Sequence, residues 1–129
     1  MAAPEPGTRV ERTRTLTQGE FDLFARLSGD DNPIHVDPEY SARTRFGRTA
    51  AHGMLLYSLL CGVMQEIVPD GVQVSQELMF PAPTFAGDEM RFAAEVAAVD
   101  GRVVRLDLEI TNPDGAVTCT GAALVEVSG

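Results

Sequence analysis

The second half of the chain alternates apolar and polar residues, which is the pattern of strands that bury one face. The clearest case is the segment 102–111, in which every second residue from Val104 to Ile110 is aliphatic and the residues between them are charged. Similar alternation predicts further strands over 72–80, 88–99 and 117–127. Tight-turn sequences between these segments indicate that consecutive strands form antiparallel hairpins.

The first half of the chain predicts helices instead. Thr17 and Glu20 have the spacing of a capping box, in which each side chain accepts a hydrogen bond from the other residue's backbone N–H group. Apolar residues at helical spacing follow, so we expect a helix from about 18 to 27 that Gly29 ends. Ahead of this helix, residues 9–16 alternate weakly and predict a short edge strand.

The segment after this helix is predicted to be irregular. Pro33 disfavours helical geometry at the residue before it, and Asp and Asn prefer caps and turns, so we expect Asp30–Ile34 not to be helical. Asp37 then supplies an N-cap and Pro38 a favourable first helical residue. These two residues predict a short helix from about 38 to 43.

The most hydrophobic segment runs from Gly53 to Val68, with apolar residues on nearly every side of the expected helix. Such a helix is typical of a buried position, and Pro69–Gly71 is expected to stop it. A buried helix followed by a four- or five-stranded antiparallel sheet indicates the α+β class, with the sheet wrapped over the helix.

Length and composition fit one ordinary globular domain. The chain has 129 residues, of which 44% are hydrophobic and 22% charged, and we expect a flexible tail over 1–7 and a single domain over 8–129. No segment reaches the roughly 18 uninterrupted apolar residues of a membrane span. The first residues lack the features of a signal peptide, which predicts a cytoplasmic protein.

Charge and residue usage exclude several classes of function. The net charge of −9 argues against nucleic acid or an anionic membrane as the main partner. All ten basic residues are Arg, which excludes lysine Schiff bases, lysine-bound pyridoxal phosphate and a P-loop. Cys61 and Cys119 are expected to be buried reduced thiols.

The candidate chemistry centres on the two histidines of the chain, His35 and His52. Asp30 lies five residues before His35, and a stiff Asn-Pro loop joins them, so the carboxylate and the imidazole can share proton transfers near neutral pH. The Gly53 amide, at the start of the expected buried helix, can stabilise a developing oxyanion. We expect His52 to hold the turn into that helix.

Together these residues indicate an enzyme that adds or removes water across an activated carbonyl compound. Two other interpretations remain open for the Asp30–His35 segment: an Asx-rich turn without chemistry, and a metal site, which the absence of a recognisable ligand spacing disfavours.

Arg43, Arg45 and Arg48 form a cluster within six residues of sequence. They are either a solvated loop or a local patch for the phosphate groups of an acyl carrier such as coenzyme A.

The motifs together resemble a known family. Ser28–His35, followed by Phe46–Arg48 and Ala51–Leu55, resembles the hydratase motif of MaoC-like proteins, the (R)-specific enoyl-CoA hydratases. Downstream, Phe85–Asp88 is similar to the approach to a hairpin in that family. The resemblance implies a hotdog fold, in which an antiparallel sheet wraps around a long helix. It also implies a homodimer with substrate tunnels beside the subunit interface.

The resemblance also implies roles for single residues. Asp30 and His35 match the catalytic pair that activates water, and Gly53 matches the amide that polarises the thioester carbonyl. Asn32 matches the motif asparagine, which would help fix that loop and its hydrogen bonds. Together with Arg43, Arg45 and Arg48 of the arginine cluster, it is a candidate substrate-binding residue. No metal or organic cofactor is implied. Thr49–Ala51 departs from the family pattern, which often has bulky aliphatic residues there, and this leaves the shape of the pocket open.

The implied function is a hydro-lyase that interconverts trans-2-enoyl and (R)-3-hydroxyacyl thioesters of coenzyme A or an acyl carrier protein. Hydration would serve lipid breakdown or polyester supply, and dehydration would serve fatty acid or polyketide synthesis. Two alternatives remain: a hotdog acyl thioesterase, which the distance of the next acid, Glu66, from Gly53 disfavours, and a non-catalytic acyl-thioester-binding subunit of a larger complex.

Overall fold

A five-stranded antiparallel sheet and four helices make up the structure, a computed structural model that describes residues 3–128. Along the chain the elements are β1 (Arg9–Thr15), α1 (Gln18–Ser28), α2 (Pro33–Val36), α3 (Pro38–Ala42), α4 (Gly53–Ile67), β2 (Val72–Met79), β3 (Glu89–Asp100), β4 (Val103–Thr111) and β5 (Val117–Glu126).

The strand order in the sheet is β1-β3-β4-β5-β2. The pairs β3–β4 and β4–β5 are the antiparallel hairpins that the turn sequences predicted. In the middle strand β4, the aliphatic residues from Val104 to Ile110 are buried and the charged residues between them are exposed. The expected α+β class with an antiparallel sheet is confirmed, and β1 and β2 form its two edges.

The long helix α4 packs against the inner face of the sheet. Its residues Leu56, Leu60 and Val63 are buried and belong to one core with Phe92 and Leu106 of the sheet. Burial is confined to one side of the helix, because Met54 is 50% exposed and other apolar residues of α4 are only partly buried. In the single chain the expectation of a buried helix is therefore met on one side of α4 only.

The expected local signals for the ends of α1 are present. Thr17 and Glu20 form both hydrogen bonds of the capping box. Gly29 ends the helix with a φ of 83°, a left-handed conformation that favours glycine, and its N–H donates to the Ala25 carbonyl.

The segment after α1 differs from expectation at Pro33 and Ile34. These two residues begin the single-turn helix α2, so the expectation that they are not helical is wrong. Pro33 occupies the first helical position, where its fixed φ and missing N–H group cost nothing. Its constraint acts on Asn32, which stays outside the helix as the N-cap and accepts the Ile34 N–H at 3.0 Å.

The edge strand β2 is far more exposed than its alternation suggests. Val72, Val74 and Met79 are 67%, 61% and 68% exposed. These residues leave an apolar edge uncovered in the single chain.

The N-terminal residues that are described include a turn before β1. The Gly7 N–H donates to the Val96 carbonyl at 2.8 Å, and Thr8 donates to the Glu5 carbonyl. Met1 and Ala2, which belong to the predicted tail, and Gly129 lie outside the described residues. Within 3–128, no helix has the length and apolar character needed to cross a membrane.

Candidate active site

The loop between α1 and α2 fixes the backbone of Asp30. The Asp30 N–H donates to the Ser28 hydroxyl at 3.1 Å, and an Asp30 carboxylate oxygen accepts the Asn32 N–H at 3.5 Å. Asn32 uses its own side-chain oxygen to cap α2. These short-range bonds are those of an Asx-rich turn.

The helix α2 places His35 against the segment that leads to α4. The His35 Nδ1 atom lies 2.7 Å from the Ala50 carbonyl oxygen, which can only accept, so Nδ1 carries the proton of the neutral ring. Nε2 is then the acceptor nitrogen, without a hydrogen-bond partner among residues 3–128, and it lies 3.9 Å from a carboxylate oxygen of Asp30. The structure thus brings together the two residues that the sequence paired, with the basic nitrogen of one facing the acid of the other.

Residues that sequence reasoning did not single out hold α2 in place. Gln18 donates from Nε2 to the His35 main-chain carbonyl at 2.8 Å and accepts a hydrogen bond from the Thr49 hydroxyl at 2.5 Å. The Ala50 N–H donates to the Ile34 carbonyl at 3.0 Å. Thr49 therefore contacts α2 through Gln18, whereas the Ala50 main chain bonds directly to Ile34 and His35.

The N-terminus of α4 supplies backbone donors beside this pair. Gly53 is the first residue of the helix, and no side chain in the described part of the chain caps that end. The first amides of a helix have no partner within it, and the helix dipole favours negative charge there. A Cβ atom at position 53 would lie 2.9 Å from the end of the Phe80 ring, so a side chain there would displace that ring.

A cavity of about 330 Å³ joins these elements. His35 and Gly53 line it together with Phe46, Leu56 and the segment 80–84. Asp30 is not one of the lining residues, and its side chain is 55% exposed. In the single chain His35 therefore lines the cavity, whereas the Asp30 side chain lies outside the lining and is more than half exposed.

The second histidine lies behind the pair. His52 is 2% exposed, and burial lowers its pKa from the ordinary value of 6.5, so the ring is neutral at neutral pH. Its Nε2 atom lies 2.9 Å from the Asp30 carbonyl oxygen, and its ring stacks on His35 with 3.9 Å between centroids. The sequence placed His52 at the turn into α4 and gave no sign of either contact.

The three arginines of the predicted patch are held differently. Arg48 donates to the Ala86 carbonyl at 2.6 Å, lies 3.4 Å from an Asp88 carboxylate oxygen and covers the Phe85 ring at 4.6 Å. Arg45 lines the cavity, whereas Arg43 follows α3 and does not line it. Arg48 therefore joins the loop before β3 to the site, and Arg45 is the arginine next to the cavity.

A metal centre is a second chemistry to test at this place, because ligand atoms of Asp30, His35 and His52 lie within 4.8 Å of one another. The two imidazole planes are stacked at 23°, so their in-plane lone pairs do not converge on one point. One nitrogen of each ring is also bound to a main-chain carbonyl. This arrangement suits proton transfer better than metal binding.

The two thiols do not take part. Cys119 is buried in β5, where burial raises the pKa of its thiol to about 11 and makes it unreactive. Cys61 is only partly buried, so the expectation of two buried thiols holds for one of them. Its sulfur accepts a hydrogen bond from Gln73 at 3.1 Å.

Comparisons with known proteins agree with this geometry. The model of the MaoC like domain matches residues 1–114. The (R)-specific enoyl-CoA hydratase of Aeromonas caviae is 36% identical over 127 residues, which are 95% of this chain and 95% of the relative. The 3-hydroxybutyryl-CoA dehydratase of Methylorubrum extorquens is 38% identical over 107 residues, or 81% of this chain and 68% of the relative.

Solved structures give the same result. The (R)-hydratase of A. caviae superposes with a TM-score of 0.91 at 35% identity, covering 96% of this chain and 97% of that protein. The long helix wrapped by an antiparallel sheet is thus the hotdog arrangement that the sequence implied. By sequence and by structure, the chain belongs to the family of proteins with a MaoC-like domain.

Proposed function

We propose that this protein is a hydro-lyase that interconverts trans-2-enoyl and (R)-3-hydroxyacyl thioesters. The observation that carries the proposal is the free Nε2 atom of His35, 3.9 Å from the Asp30 carboxylate and in the same cavity as Gly53. The named activities of the A. caviae and M. extorquens relatives support the thioester substrate. The name of the first supports the (R) configuration.

In the hydration direction, Asp30 and His35 hold one water molecule. The distance of 3.9 Å between their acceptor atoms is too long for a direct hydrogen bond but suits a water that donates to both. His35 Nε2 takes a proton as the water oxygen bonds to C3 of the enoyl group, and the pair returns a proton to C2. One O–H bond breaks, C3–O and C2–H bonds form, and the double bond is consumed.

The Gly53 amide stabilises the charge that this addition creates. As the nucleophile adds at C3, negative charge develops on the thioester oxygen, and a fixed amide donor at a helix N-terminus stabilises it without reorganisation. The loss of such a donor typically costs about 3 kcal/mol of activation free energy. The absence of a side chain at Gly53 lets the carbonyl approach the backbone closely.

The carrier group of the substrate is expected to leave the cavity past Arg45. This residue is the arginine of the cluster that lines the cavity, while Arg48 is already bound to Ala86 and Asp88. We therefore propose Arg45 as the main contact for coenzyme A phosphates, with Arg43 and the Asn32 loop as secondary contacts. An acyl carrier protein would offer one phosphate at the same place.

The site is proposed to be completed in a homodimer. The edge of β2 leaves Val72 and Val74 exposed at 67% and 61%, and Phe80, beside Gly53, is 42% exposed. An uncovered apolar edge strand is a liability for aggregation unless another chain pairs with it. Antiparallel pairing of β2 with β2 of a second copy would cover these residues and enclose the substrate beside the interface.

A thioesterase reaction is less well supported. Glu66, the next acid after Gly53 along the chain, lies in the last turn of α4 and forms an ion pair with Arg12. It does not line the cavity. Release of free thiol without loss of the enoyl absorbance would identify that reaction, and binding without turnover would identify an acyl-binding subunit.

The proposal is tested by a spectrophotometric hydration assay on crotonyl-CoA and longer enoyl-CoAs. We expect turnover by the natural chain, a product in the (R) configuration by chiral analysis, and losses of about 100-fold or more in kcat for Asp30→Asn and His35→Ala. Folded variants with near-native rates would refute the roles given to these two residues.

A further inference from the structure

His52 contacts each part of the proposed site. Its Nε2–H group donates to the main-chain carbonyl of Asp30 at 2.9 Å, and its ring stacks on the ring of His35 at 3.9 Å. It directly precedes Gly53 as the N-cap residue of α4. One side chain therefore connects the loop after α1, the single turn of α2 and the first turn of α4.

The buried position of this imidazole is unfavourable for folding. The Nδ1 atom is shielded from solvent, and no group of the described residues forms a hydrogen bond with it. A buried polar atom without a partner destabilises the folded state. The Phe24 ring packs on His52 at 4.8 Å, so a phenylalanine at position 52 would fill an apolar site without an unpaired nitrogen.

The imidazole of His52 supplies two things in one compact side chain. One is a hydrogen-bond donor at the Nε2 position, and the other is a flat ring that His35 can stack on. The low pKa of His52 keeps the ring neutral, with its one proton on the nitrogen that faces the Asp30 carbonyl. A neutral ring also avoids placing two cations face to face when His35 takes up a proton.

We propose that His52 is a positioning residue of the hydration reaction, which holds Asp30 mainly by a hydrogen bond to its main-chain carbonyl and supports His35 more weakly by ring stacking. This inference rests on the proposed function. Its physical basis is that the pair must hold one water within hydrogen-bond reach of both acceptors. A misplacement of roughly 1 Å is enough to cost about 100-fold in rate.

Two substitutions separate the effect of the His52 hydrogen bond from the effect of its ring. His52→Phe keeps the ring and removes the donor, whereas His52→Gln keeps a donor near the Nε2 position and removes the ring. We expect His52→Phe to lower kcat on crotonyl-CoA by about 10- to 100-fold with KM within about threefold, because catalytic geometry and not substrate binding is disturbed. His52→Gln should keep kcat within about fivefold of the value for the natural chain, since a donor to the Asp30 carbonyl is retained.

The proposal is overturned if folded His52→Phe keeps kcat within about twofold of the natural chain. It is also overturned if His52→Gln is as impaired as His52→Phe, because the donor would then have no positioning effect.

A second measurement does not depend on activity or on any substitution of His52. The chain has two histidines, so the ring nitrogens can be assigned by ¹⁵N NMR of the natural chain and one His35 variant. We expect His52 to carry its proton on Nε2, slowly exchanging with solvent, and His35 to carry its proton on Nδ1. A protonated Nδ1 or a rapidly exchanging ring at His52 would overturn the inference.

This result also separates the two proposals. If NMR shows the expected tautomers but the chain has no hydratase activity, the proposed function is refuted and the contacts of His52 still stand. Activity together with the other tautomer would refute the role of His52 alone.

Discussion

The side-chain amide of Gln18 donates a hydrogen bond to the main-chain carbonyl of His35, 2.8 Å away. This bond joins the first turn of α1 to α2, and a helix of one turn has little stability of its own. We expect Gln18→Ala to lower kcat about tenfold, because α2 loses an anchor beside the Ala50 contact. Stability should fall by about 1 kcal/mol in urea unfolding, the value of one hydrogen bond.

Asp22→Ala provides the control for this prediction. Asp22 accepts a hydrogen bond from the same Gln18 amide at 3.0 Å, and this bond does not involve Asp30 or His35. Removing the Asp22 carboxylate should leave kcat within about twofold of the value for the natural chain. Equal kcat values for the two variants would show that Gln18 does not position His35.

Gly53 is expected to tolerate no side chain without disturbing the cavity. The added methyl group of Gly53→Ala would collide with the end of the Phe80 ring at 2.9 Å and displace that ring, which lines the cavity. The backbone donor remains, so we expect a loss of about 10-fold in kcat/KM and little change in the unfolding midpoint. Adding Phe80→Leu should recover part of the loss, because the shorter side chain leaves room for the methyl group. No recovery in the double variant would contradict the proposed collision.

Arg45 and Arg48 are expected to respond differently to removal. Arg45→Ala should raise KM for an enoyl-CoA by about fivefold, an effect that weakens in high salt. KM for the matching N-acetylcysteamine thioester, which lacks phosphates, should not change. Arg48→Ala should instead lower stability, because it releases the Ala86 carbonyl and the Asp88 carboxylate. A rise in KM with both substrates would contradict a phosphate contact at Arg45.

Charge on β2 is expected to separate the proposed dimer. In an antiparallel β2–β2 contact, Val74→Arg places a cation in an apolar interface, near the same cation of the second copy. We therefore expect this variant to sediment as a monomer and to lose activity. Glu109→Arg, on the exposed face of β4, introduces the same group away from this edge and should leave the assembly intact. Identical sedimentation of the two variants would exclude pairing through β2.

The buried His52 predicts a loss of stability in mild acid. The folded ring has a pKa below its ordinary value of 6.5, so below that pH the unfolded chain binds a proton that the folded chain does not. Stability is therefore complete above pH 6.5 and decreases as the pH falls through the interval down to the lowered pKa. Urea midpoints at about pH 8 and about pH 5 should differ less for His52→Gln than for the natural chain. An unchanged difference would show that His52 is not the group responsible.

The order and type of the elements follow from short-range patterns in the sequence. The capping box at Thr17 and Glu20, the left-handed Gly29 and the alternation in β4 depend on residues a few positions apart. Local propensity and spacing therefore predicted these elements within a few residues. The one local error, at Pro33 and Ile34, arose because proline disfavours the helix only for the residue before it.

The pairing of Asp30 with His35 could also be predicted, because the two residues are close in sequence and the turn between them is stiff. Only the tertiary structure showed which residues hold this pair in place and which residues cover it. Gln18 lies 17 residues from His35, His52 lies 22 residues from Asp30, and Arg48 lies 38 residues from Ala86. Contacts over such separations depend on how the helices, loops and sheet pack together, which no local spacing specifies. The strand β2 was likewise predictable from local alternation. Only the packed sheet showed that β2 lies at an edge and that its apolar residues are uncovered.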